Sequence, residues 1–216
     1  NVTGILNFEQ IYYMEAKVMD FKESRTRENL MRAFAGESQA RNRYTFAAEL
    51  AQQNGLFVVK KIFDFTAEQE KEHAEVFYKF LKEAEGENIN INAGYPVNTS
   101  GDVLAQLKAA LHNEYEEADS AYKEFGDIAK EEGFTHIAGK FYLIADIEKM
   151  HGRRFEEIAK LMEDGKLFVS DVKTGWMCLG CGYVVESDIA PQNCPVCDSG
   201  QGFFIRMSMA PYVCNR

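Results

Sequence analysis

The stretch from Ile137 to Met162 constrains the fold more than any other part of the chain. Its apolar residues recur every three or four positions, as on the buried face of an amphipathic helix. Two positions in the middle of this stripe hold Glu148 and His151 instead. Burying an ionised carboxylate is unfavourable unless a positive charge meets it. The pattern therefore predicts a helix that carries a Glu-x-x-His pair into a bundle interior, which is typical of sites for two iron or manganese ions.

The same periodicity recurs in four long segments, and each segment ends at a glycine. Glycine often ends a helix because it tolerates the left-handed backbone conformation. The four glycines are Gly55, Gly86, Gly133 and Gly165. On every segment an acidic residue interrupts the apolar stripe, and these residues are Glu37, Glu70, Glu114 and Glu148.

The spacing of these acidic residues repeats. Glu37 and Glu70 are 33 residues apart, and Glu114 and Glu148 are 34 apart. His73 follows Glu70 by three positions, as His151 follows Glu148. Each half thus consists of a helix with one Glu and a helix with Glu-x-x-His, which predicts two helical hairpins. The longer stretch from residue 86 to residue 101 predicts the single crossover of a ferritin-like, antiparallel four-helix bundle.

Residues three apart on a helix lie about 5–6 Å apart at Cβ, so each Glu-x-x-His pair can converge on one ion. Five inward carboxylates would need about four to six positive charges, which two metal ions supply. Oxygen and imidazole donors suit iron or manganese, and also zinc. The fifth carboxylate, Glu117, is either an exposed helix residue or an additional ligand. Tyr44 and Tyr122 are either core aromatics or hydrogen-bond donors to the ligands.

Four cysteines near the C-terminus form two Cys-x-x-Cys pairs, which predict a tetrahedral thiolate site. The site is either a structural zinc ribbon or an electron-transferring iron centre, and the spacing does not separate these. Short strands are predicted at 167–172 and 176–185, with a domain boundary near 165–173. Cys214 is predicted to bind no metal. The pairs consist of Cys178, Cys181, Cys194 and Cys197.

The chain has a formal net charge of −10 and a pI near 5.0, which argue against nucleic-acid and anionic membrane partners. Its cysteine pattern favours a reducing compartment, so we expect a cytoplasmic protein. Residues 1–18 contain acidic positions and begin without Met, which suggests an appended leader or an additional helix. We predict three regions: an extension over 1–23, a four-helix bundle over 24–167 and a small metal domain over 168–216.

Between Ser24 and Met209 the sequence resembles the rubrerythrin family. The motifs that carry the resemblance are Ala35 to Tyr44 (AGESQARNRY), Glu70 to His73 (EKEH), Glu114 to Glu117 (EYEE), Glu148 to His151 (EKMH), and Trp176 to Tyr183 with the later Cys-Pro-x-Cys pair. The resemblance implies a non-haem di-iron peroxidase that reduces hydrogen peroxide to water. A rubredoxin-like tail with one iron bound by four cysteines would pass electrons to the di-iron site.

The resemblance also implies a role for each site residue. Glu70 and Glu148 would bridge the two irons, while Glu37 and Glu114 would be terminal ligands. His151 would hold the second iron, and His73 and Glu117 would exchange as ligands of the first iron between oxidation states. The catalytic residues implied are Glu117, His73, Tyr44 and Tyr122. The expected electron donor is a rubredoxin or an NAD(P)H-dependent reductase.

Helix length suggests how the chains assemble. A helix of about 30 residues is roughly 45 Å long, so a tail at one end of the bundle would lie far from a metal site at its centre. A head-to-tail homodimer, or a larger homo-oligomer, would bring another chain's tail closer. Two rival functions remain: a ferritin-like iron oxidation or storage protein, and a helical scaffold with a structural zinc ribbon.

Overall fold

The computed structural model describes residues 19–210, so the predicted leader over 1–18 and Cys214 lie outside it. It confirms the mainly helical, ferritin-like architecture followed by a small sheet. Within the described range, no helix combines the length and apolarity that a membrane span requires. The helices are α1 (Arg25–Gln53), α2 (Phe57–Phe80), α3 (Val103–Glu116), α4 (Tyr122–Glu131) and α5 (Thr135–Glu163).

The third predicted helix is divided in two. A π-helical turn, Glu117–Ala121, separates α3 from α4 without ending the helical path. A π turn accommodates one more residue per turn than an α-helix, so it leaves the apolar periodicity on either side almost intact. The sequence pattern therefore predicted one continuous helix here and missed the turn.

The predicted helix ends are confirmed. Gly55, Gly86, Gly133 and Gly165 all have positive φ, between 65° and 90°. At the other end of α1, Ser24 Oγ accepts a hydrogen bond from the Arg27 backbone N–H at 3.1 Å. Asp102 caps α3 in the same way, with its carboxylate facing the N–H groups of Leu104 and Ala105. Side-chain caps and left-handed glycines satisfy backbone groups that a helix end leaves unpaired.

The bundle consists of two hairpins with an apolar cluster at each end. Helices α1 and α2 form the first hairpin, and α3, α4 and α5 form the second. One cluster includes Phe63, Leu107 and Phe155, all fully buried. The other includes Phe77 and Phe141 with Leu30 and Ile144. The acidic positions lie between these clusters, so the hydrophobic burial that stabilises the bundle also holds the polar centre in place.

A long crossover connects the hairpins and lies along the outside of α1. Its contacts are hydrogen bonds to this helix: Arg32 Nε donates to the Asn92 carbonyl at 3.2 Å, and Tyr95 Oη donates to the Arg32 carbonyl at 2.9 Å. Further along, Asn98 Oδ1 accepts from Arg43 at 3.2 Å and from Asn113 at 3.0 Å. At its start, Glu87 pairs with Arg27 of α1 at 2.8 Å, so the crossover is fastened to the bundle at three places.

The C-terminal region is a three-stranded antiparallel sheet in the order β2-β1-β3. Its strands are β1 (Val169–Cys178), β2 (Val184–Ile189) and β3 (Phe204–Arg206). The predicted strands were placed differently, because β1 runs across the expected break and the chain turns only at residues 179–183. The predicted boundary between residues 167 and 168 falls in the connection from α5 to β1.

The sheet packs against the end of the bundle where α1 turns into α2. The rings of Phe57 and Phe203 stack with centroids 4.0 Å apart, and Ile205 joins the apolar cluster of the bundle. Gly202 approaches the turn so closely that a Cβ there would lie 1.8 Å from the Gly55 carbonyl oxygen. Any side chain at position 202 would therefore separate the two parts.

Candidate metal centres

Helices α1, α2, α3 and α5 each direct acidic or imidazole side chains to the centre of the bundle. These side chains form two groups of four. Within each group, one donor atom from every residue lies within 4.8 Å of the others. Glu70 and Glu148 belong to both groups. The first group adds Glu37 and His73, and the second adds Glu114 and His151. The structure thus brings together six of the seven residues predicted for the di-iron site, and all six are buried.

Each imidazole faces both shared carboxylates. His73 Nδ1 lies 2.8 Å from Glu148 Oε1 and 3.1 Å from Glu70 Oε2. His151 Nδ1 lies 2.8 Å from Glu148 Oε2 and 2.9 Å from Glu70 Oε1. The unshared carboxylates are more distant, with Glu37 3.9 Å from His73 and Glu114 3.8 Å from His151. The centre is therefore nearly symmetric between the hairpins.

Burial and mutual repulsion dominate the electrostatics of this centre. Burial, followed by the nearby Glu148 and Glu70, raises the pKa of Glu37 well above its ordinary value. Burial and Glu70 do the same to the pKa of Glu148. For Glu70 burial acts in the same direction, but the close imidazoles of His151 and His73 outweigh it and lower the pKa to about 2. The two imidazoles therefore supply too little positive charge for all of these carboxylates to be ionised at the same time.

Unsatisfied polar atoms indicate what the centre lacks. Glu37 Oε2 and His151 Nε2 are buried without a hydrogen-bond partner. Glu70 Oε1, both carboxylate oxygens of Glu148 and His151 Nδ1 make only the short contacts described above, and none of these contacts has the geometry of a hydrogen bond. Leaving such atoms unpaired costs about 1–3 kcal/mol each, and more when the group is charged. One cation in each group would coordinate these donors and neutralise the carboxylates. The donor set therefore fits two metal ions bridged by Glu70 and Glu148.

Glu117 belongs to neither group. It lies in the π turn, half-buried, and faces a cavity of about 400 Å³ between α1, the crossover and the start of α4. Burial, then Glu114 and Glu70, raises the pKa of Glu117 well above its ordinary value. The structure places this residue beside the cluster rather than in it, so its exchange with His73 stays a prediction.

Two tyrosines connect the hairpins at the metal centre. Tyr44 of α1 donates a hydrogen bond to Glu114 Oε1 of α3. In return, Tyr122 of α4 donates to Glu37 Oε1 of α1 at 2.6 Å. Both rings are also buried in the apolar clusters, so the structure combines the two alternatives left open by the sequence: core aromatics whose hydroxyls donate to the predicted ligands.

The four cysteines form a second group in the sheet region. Cys178 Sγ lies 3.7 Å from Cys197 Sγ, and Cys181 Sγ lies 3.6 Å from Cys194 Sγ. Bonds of about 2.3 Å from a central metal to four tetrahedral sulfurs place the sulfurs roughly 3.8 Å apart. All four atoms also lie within 4.8 Å of one another, so the group has the size of a tetrahedral metal–thiolate site.

Two similar turns present these thiols. The Gly182 N–H donates to the Cys178 carbonyl at 2.8 Å, and the Asp198 N–H donates to the Cys194 carbonyl at 2.9 Å. Both turns end in the left-handed conformation, at Gly182 (φ 80°) and Asp198 (φ 60°). Hydrogen bonds from Ser199 lower the pKa of Cys197 to about 6, which favours a thiolate.

Sequence reasoning missed a half-buried arginine beside the metal centre. Arg154 lies one helical turn after His151 and donates to Thr66 Oγ1 at 2.8 Å and to Gln69 Oε1 at 2.9 Å. It therefore links α5 to α2 and places a positive charge near the carboxylates. Its position three residues after His151 was the available signal.

Comparison with known protein families agrees with this geometry. The family model described as Rubrerythrin matches residues 28–159, with an overlapping match to 105–174. A second model, described as the rubredoxin-like domain of rubrerythrin, matches residues 176–205. The chain belongs to the rubrerythrin family. The Glu/His side chains at the bundle centre lie within the first match, and the four cysteines lie within the second. These matches assign the two sets of side chains as the di-iron site and the four-cysteine iron site.

Individual relatives support the same assignment. Rubrerythrin of Clostridium perfringens is 46% identical over 184 residues, covering 85% of this chain and 94% of that protein. Rubrerythrin of Nitratidesulfovibrio vulgaris is 41% identical, with coverage of 85% and 94%. Among solved structures, nigerythrin in a partially reduced state has a TM-score of 0.58 at 25% identity, covering 87% of this chain and 91% of that one. Rubrerythrin membership implies an iron-dependent oxidoreductase.

Proposed function

We propose that this rubrerythrin reduces hydrogen peroxide to water: H2O2 + 2 e⁻ + 2 H⁺ → 2 H2O. The observation that carries the proposal is a buried pair of Glu/His groups sharing two carboxylates, in a chain that also has a rubredoxin-like domain. Two bound ferrous ions would supply the two electrons that cleave the O–O bond. The four-cysteine iron would then return electrons one at a time.

The side chains have separate tasks in this proposal. Glu70 and Glu148 would each contact both ions, because each carboxylate belongs to both groups of donor atoms. Tyr44 and Tyr122 fix the orientation of the terminal carboxylates Glu114 and Glu37. The buried centre also excludes bulk water from the reacting atoms, which strengthens every electrostatic interaction there.

Peroxide would approach through the cavity that contains Glu117. This cavity is lined on its buried side by Tyr122, whose hydroxyl contacts the predicted ligand Glu37. Glu117 lies between the cavity and the cluster, where its carboxyl group can hold a proton next to the entering oxygen atoms. We propose that Glu117 delivers protons here and exchanges with His73 as the oxidation state changes.

Electrons would pass between chains. The sheet region contacts α2 at Phe57, 13 residues before Glu70, which corresponds to about 20 Å along a helix. The chain's own four-cysteine site lies beyond that contact, whereas a head-to-tail homodimer would place another chain's site closer. An external donor, such as a rubredoxin or an NAD(P)H-dependent reductase, would supply the electrons in a reducing compartment.

A single-turnover experiment tests the reaction. The iron-loaded protein is reduced without oxygen and mixed with one equivalent of peroxide, while the visible spectrum of the four-cysteine iron is followed. We expect rapid oxidation, water as the product, and repeated turnover when donor is supplied. Accumulation of a mineral iron core without turnover would favour iron storage instead, and a colourless metal-loaded protein would indicate a zinc ribbon.

Mixing two inactive variants tests electron transfer between chains. One variant carries Cys181→Ser and Cys197→Ser, and the other carries Glu148→Ala. We expect activity to appear after the subunits of the two variants exchange, because one chain supplies the electrons and the other the di-iron site. Full activity of dilute wild-type monomer would contradict this arrangement.

A further inference from the structure

The cavity beside the di-iron site is larger than hydrogen peroxide requires. Its volume is about 400 Å³, whereas a molecule the size of water occupies about 30 Å³ in the liquid. Cavities of about 300–1,000 Å³ are typical of sites for small organic ligands. The excess volume is therefore room for a group attached to the peroxide.

The walls of this cavity differ in polarity. Six side chains from α1, the crossover, the π turn and α4 form an apolar wall: Ala33, Ala93, Tyr95, Pro96, Ala121 and Phe125. Polar side chains also line the cavity. Asn113 is buried, Glu117 is half-buried, and Arg32, Glu116 and Ser120 complete the polar part of the lining. Hydrogen peroxide has no apolar part and gains nothing from such a wall. A molecule with one peroxide end and one hydrocarbon end matches both surfaces.

The apolar wall is held in place rather than formed by a loose loop. Tyr95 and Asn92 are hydrogen-bonded to Arg32 at 2.9 and 3.2 Å. On the adjoining α1 side of the cavity, Gly36 directly precedes the predicted ligand Glu37, and the Tyr95 ring lies 3.7 Å from where a Cβ of Gly36 would be. A glycine inside a long helix is less stable than alanine by roughly 0.5–1 kcal/mol, and here a side chain at this position would take up part of the space beside Tyr95.

We propose that the protein also reduces organic hydroperoxides, with the hydrocarbon group on the crossover wall and the peroxide end towards Glu117. This inference rests on the proposed function, because the same centre performs the reaction. The balance is ROOH + 2 e⁻ + 2 H⁺ → ROH + H2O. The O–O bond breaks, one oxygen leaves as the alcohol and the other as water, and both electrons come from the reduced iron pair.

Cumene hydroperoxide is the probe for this activity, with hydrogen peroxide measured in parallel. Reduced, iron-loaded protein is mixed with each peroxide, and donor oxidation and cumyl alcohol are quantified. We expect one cumyl alcohol for every two electrons consumed. Turnover of hydrogen peroxide alone would overturn the organic hydroperoxide activity and leave the proposed function standing, whereas turnover of neither peroxide would overturn both.

Variants at the rim of the cavity test whether organic hydroperoxides bind there. Ala93 and Ser120 are exposed and line opposite sides of the cavity, so Ala93→Trp or Ser120→Trp narrows it without disturbing the core. We expect kcat/KM for cumene hydroperoxide to fall about tenfold or more. We also expect the ratio of this kcat/KM to that for hydrogen peroxide to fall about fivefold or more, because a narrower cavity excludes the larger molecule more strongly. Val97→Trp is the matched control, since Val97 is 83% exposed on the same crossover but does not line this cavity.

The comparison of these variants decides the assignment. Unchanged iron content and an unchanged four-cysteine spectrum show that each variant is folded and loaded. Equal losses for both peroxides in the rim variants would contradict the cavity as the site of selection. An equal loss in Val97→Trp would contradict it as well.

Discussion

The first hairpin, α1 and α2, and the second, α3 to α5, place equivalent side chains around the metal centre, but their spacings differ by one residue. Glu37 and Tyr44 are seven residues apart, while Glu114 and Tyr122 are eight apart. From each tyrosine to the next turn glycine, Gly55 or Gly133, the spacing is 11 residues in both hairpins. The additional residue therefore lies between Glu114 and Tyr122, where the π turn occurs.

The π turn adds a carboxylate to the second hairpin while the two hairpins remain equivalent at the metal centre. It absorbs the additional residue, so Tyr122 still reaches Glu37 just as Tyr44 reaches Glu114. It also contains Glu117, three residues after Glu114. The position three residues after Glu37 in the first hairpin is Ala40, which is buried in the core. Equivalent hairpins can thus hold two ions equally, but only the second adds a carboxylate facing the cavity.

Replacing either shared carboxylate should have the largest effect, and the two effects should match. Glu70→Ala and Glu148→Ala each remove a donor from both groups, so we expect both ions of the di-iron site to be lost. Peroxide turnover should fall by roughly 10³-fold or more, as when one member of a catalytic unit is removed. Iron analysis and the visible spectrum should show that the four-cysteine iron remains. A large difference between the two variants would contradict the symmetric centre.

Replacing Glu117 should show how the two hairpins differ, since the first hairpin has no equivalent carboxylate. Glu117→Gln keeps the shape of the side chain and removes its ability to gain and lose a proton. We expect turnover to fall about 10- to 100-fold while iron content is unchanged, because Glu117 lies outside both groups. Glu116→Gln is the control, since that neighbouring carboxylate is 69% exposed. Loss of iron in Glu117→Gln would show that it is a permanent ligand.

Removing the metal should make stability depend on pH. In the folded metal-free protein, burial raises the pKa of Glu37 and Glu148. Burial would lower the pKa of His151, but Glu114, Glu148 and Glu70 raise it to about 12. The folded state then holds more protons than the unfolded state above about pH 4.5, so stability falls as pH rises.

Two groups act in the opposite direction. The pKa of Cys197, lowered to about 6, offsets part of this slope between about pH 6 and pH 9. Glu70 acts outside that range. Its pKa of about 2 adds stability that is lost only as pH falls below its ordinary value. Between about pH 6 and pH 9 we therefore expect the melting temperature of the chelated bundle to drop by roughly 10 °C. Bound metal should remove most of this slope because cations replace the protons. A melting temperature that rises with pH in the chelated protein would contradict the prediction.

The smallest effect should come from the two tyrosines, which also tests the symmetry. Tyr44→Phe and Tyr122→Phe each remove one buried hydrogen bond between the hairpins. We expect the free energy of unfolding of each variant to be about 1–3 kcal/mol lower, as measured by denaturant titration of the iron-loaded protein. The two losses should be similar and should add in the double variant, because the tyrosines contact different carboxylates. Tyr115→Phe, at an exposed hydrogen bond to Glu156, should change stability little.

Much of the site was predictable because it depends on the spacing of residues that are close together in the sequence. A Glu-x-x-His pair on an apolar stripe indicates an inward metal ligand wherever the helix packs, and two Cys-x-x-Cys pairs indicate a thiolate site. The family resemblance added the roles of individual ligands. Glu117 was recognised as unusual, yet its spacing alone fitted both an exposed residue and a ligand.

Other features depended on contacts between distant parts of the chain. The pairing of Tyr44 with Glu114 joins residues 70 positions apart and depends on how the hairpins pack. The π turn was hidden because one additional residue barely changes the apolar pattern. Arg154 reads as an ordinary surface residue until α2 is placed beside it.

The sequence by itself determined four helical segments with their glycine ends, the ligand types and the two metal groups, because helical periodicity and ligand spacing are properties of neighbouring residues. The tertiary structure alone decided which carboxylate each tyrosine contacts, which way Glu117 faces and what the crossover encloses. These depend on the docking of two hairpins and a connecting segment, and docking is set by packing between surfaces that are far apart in the chain.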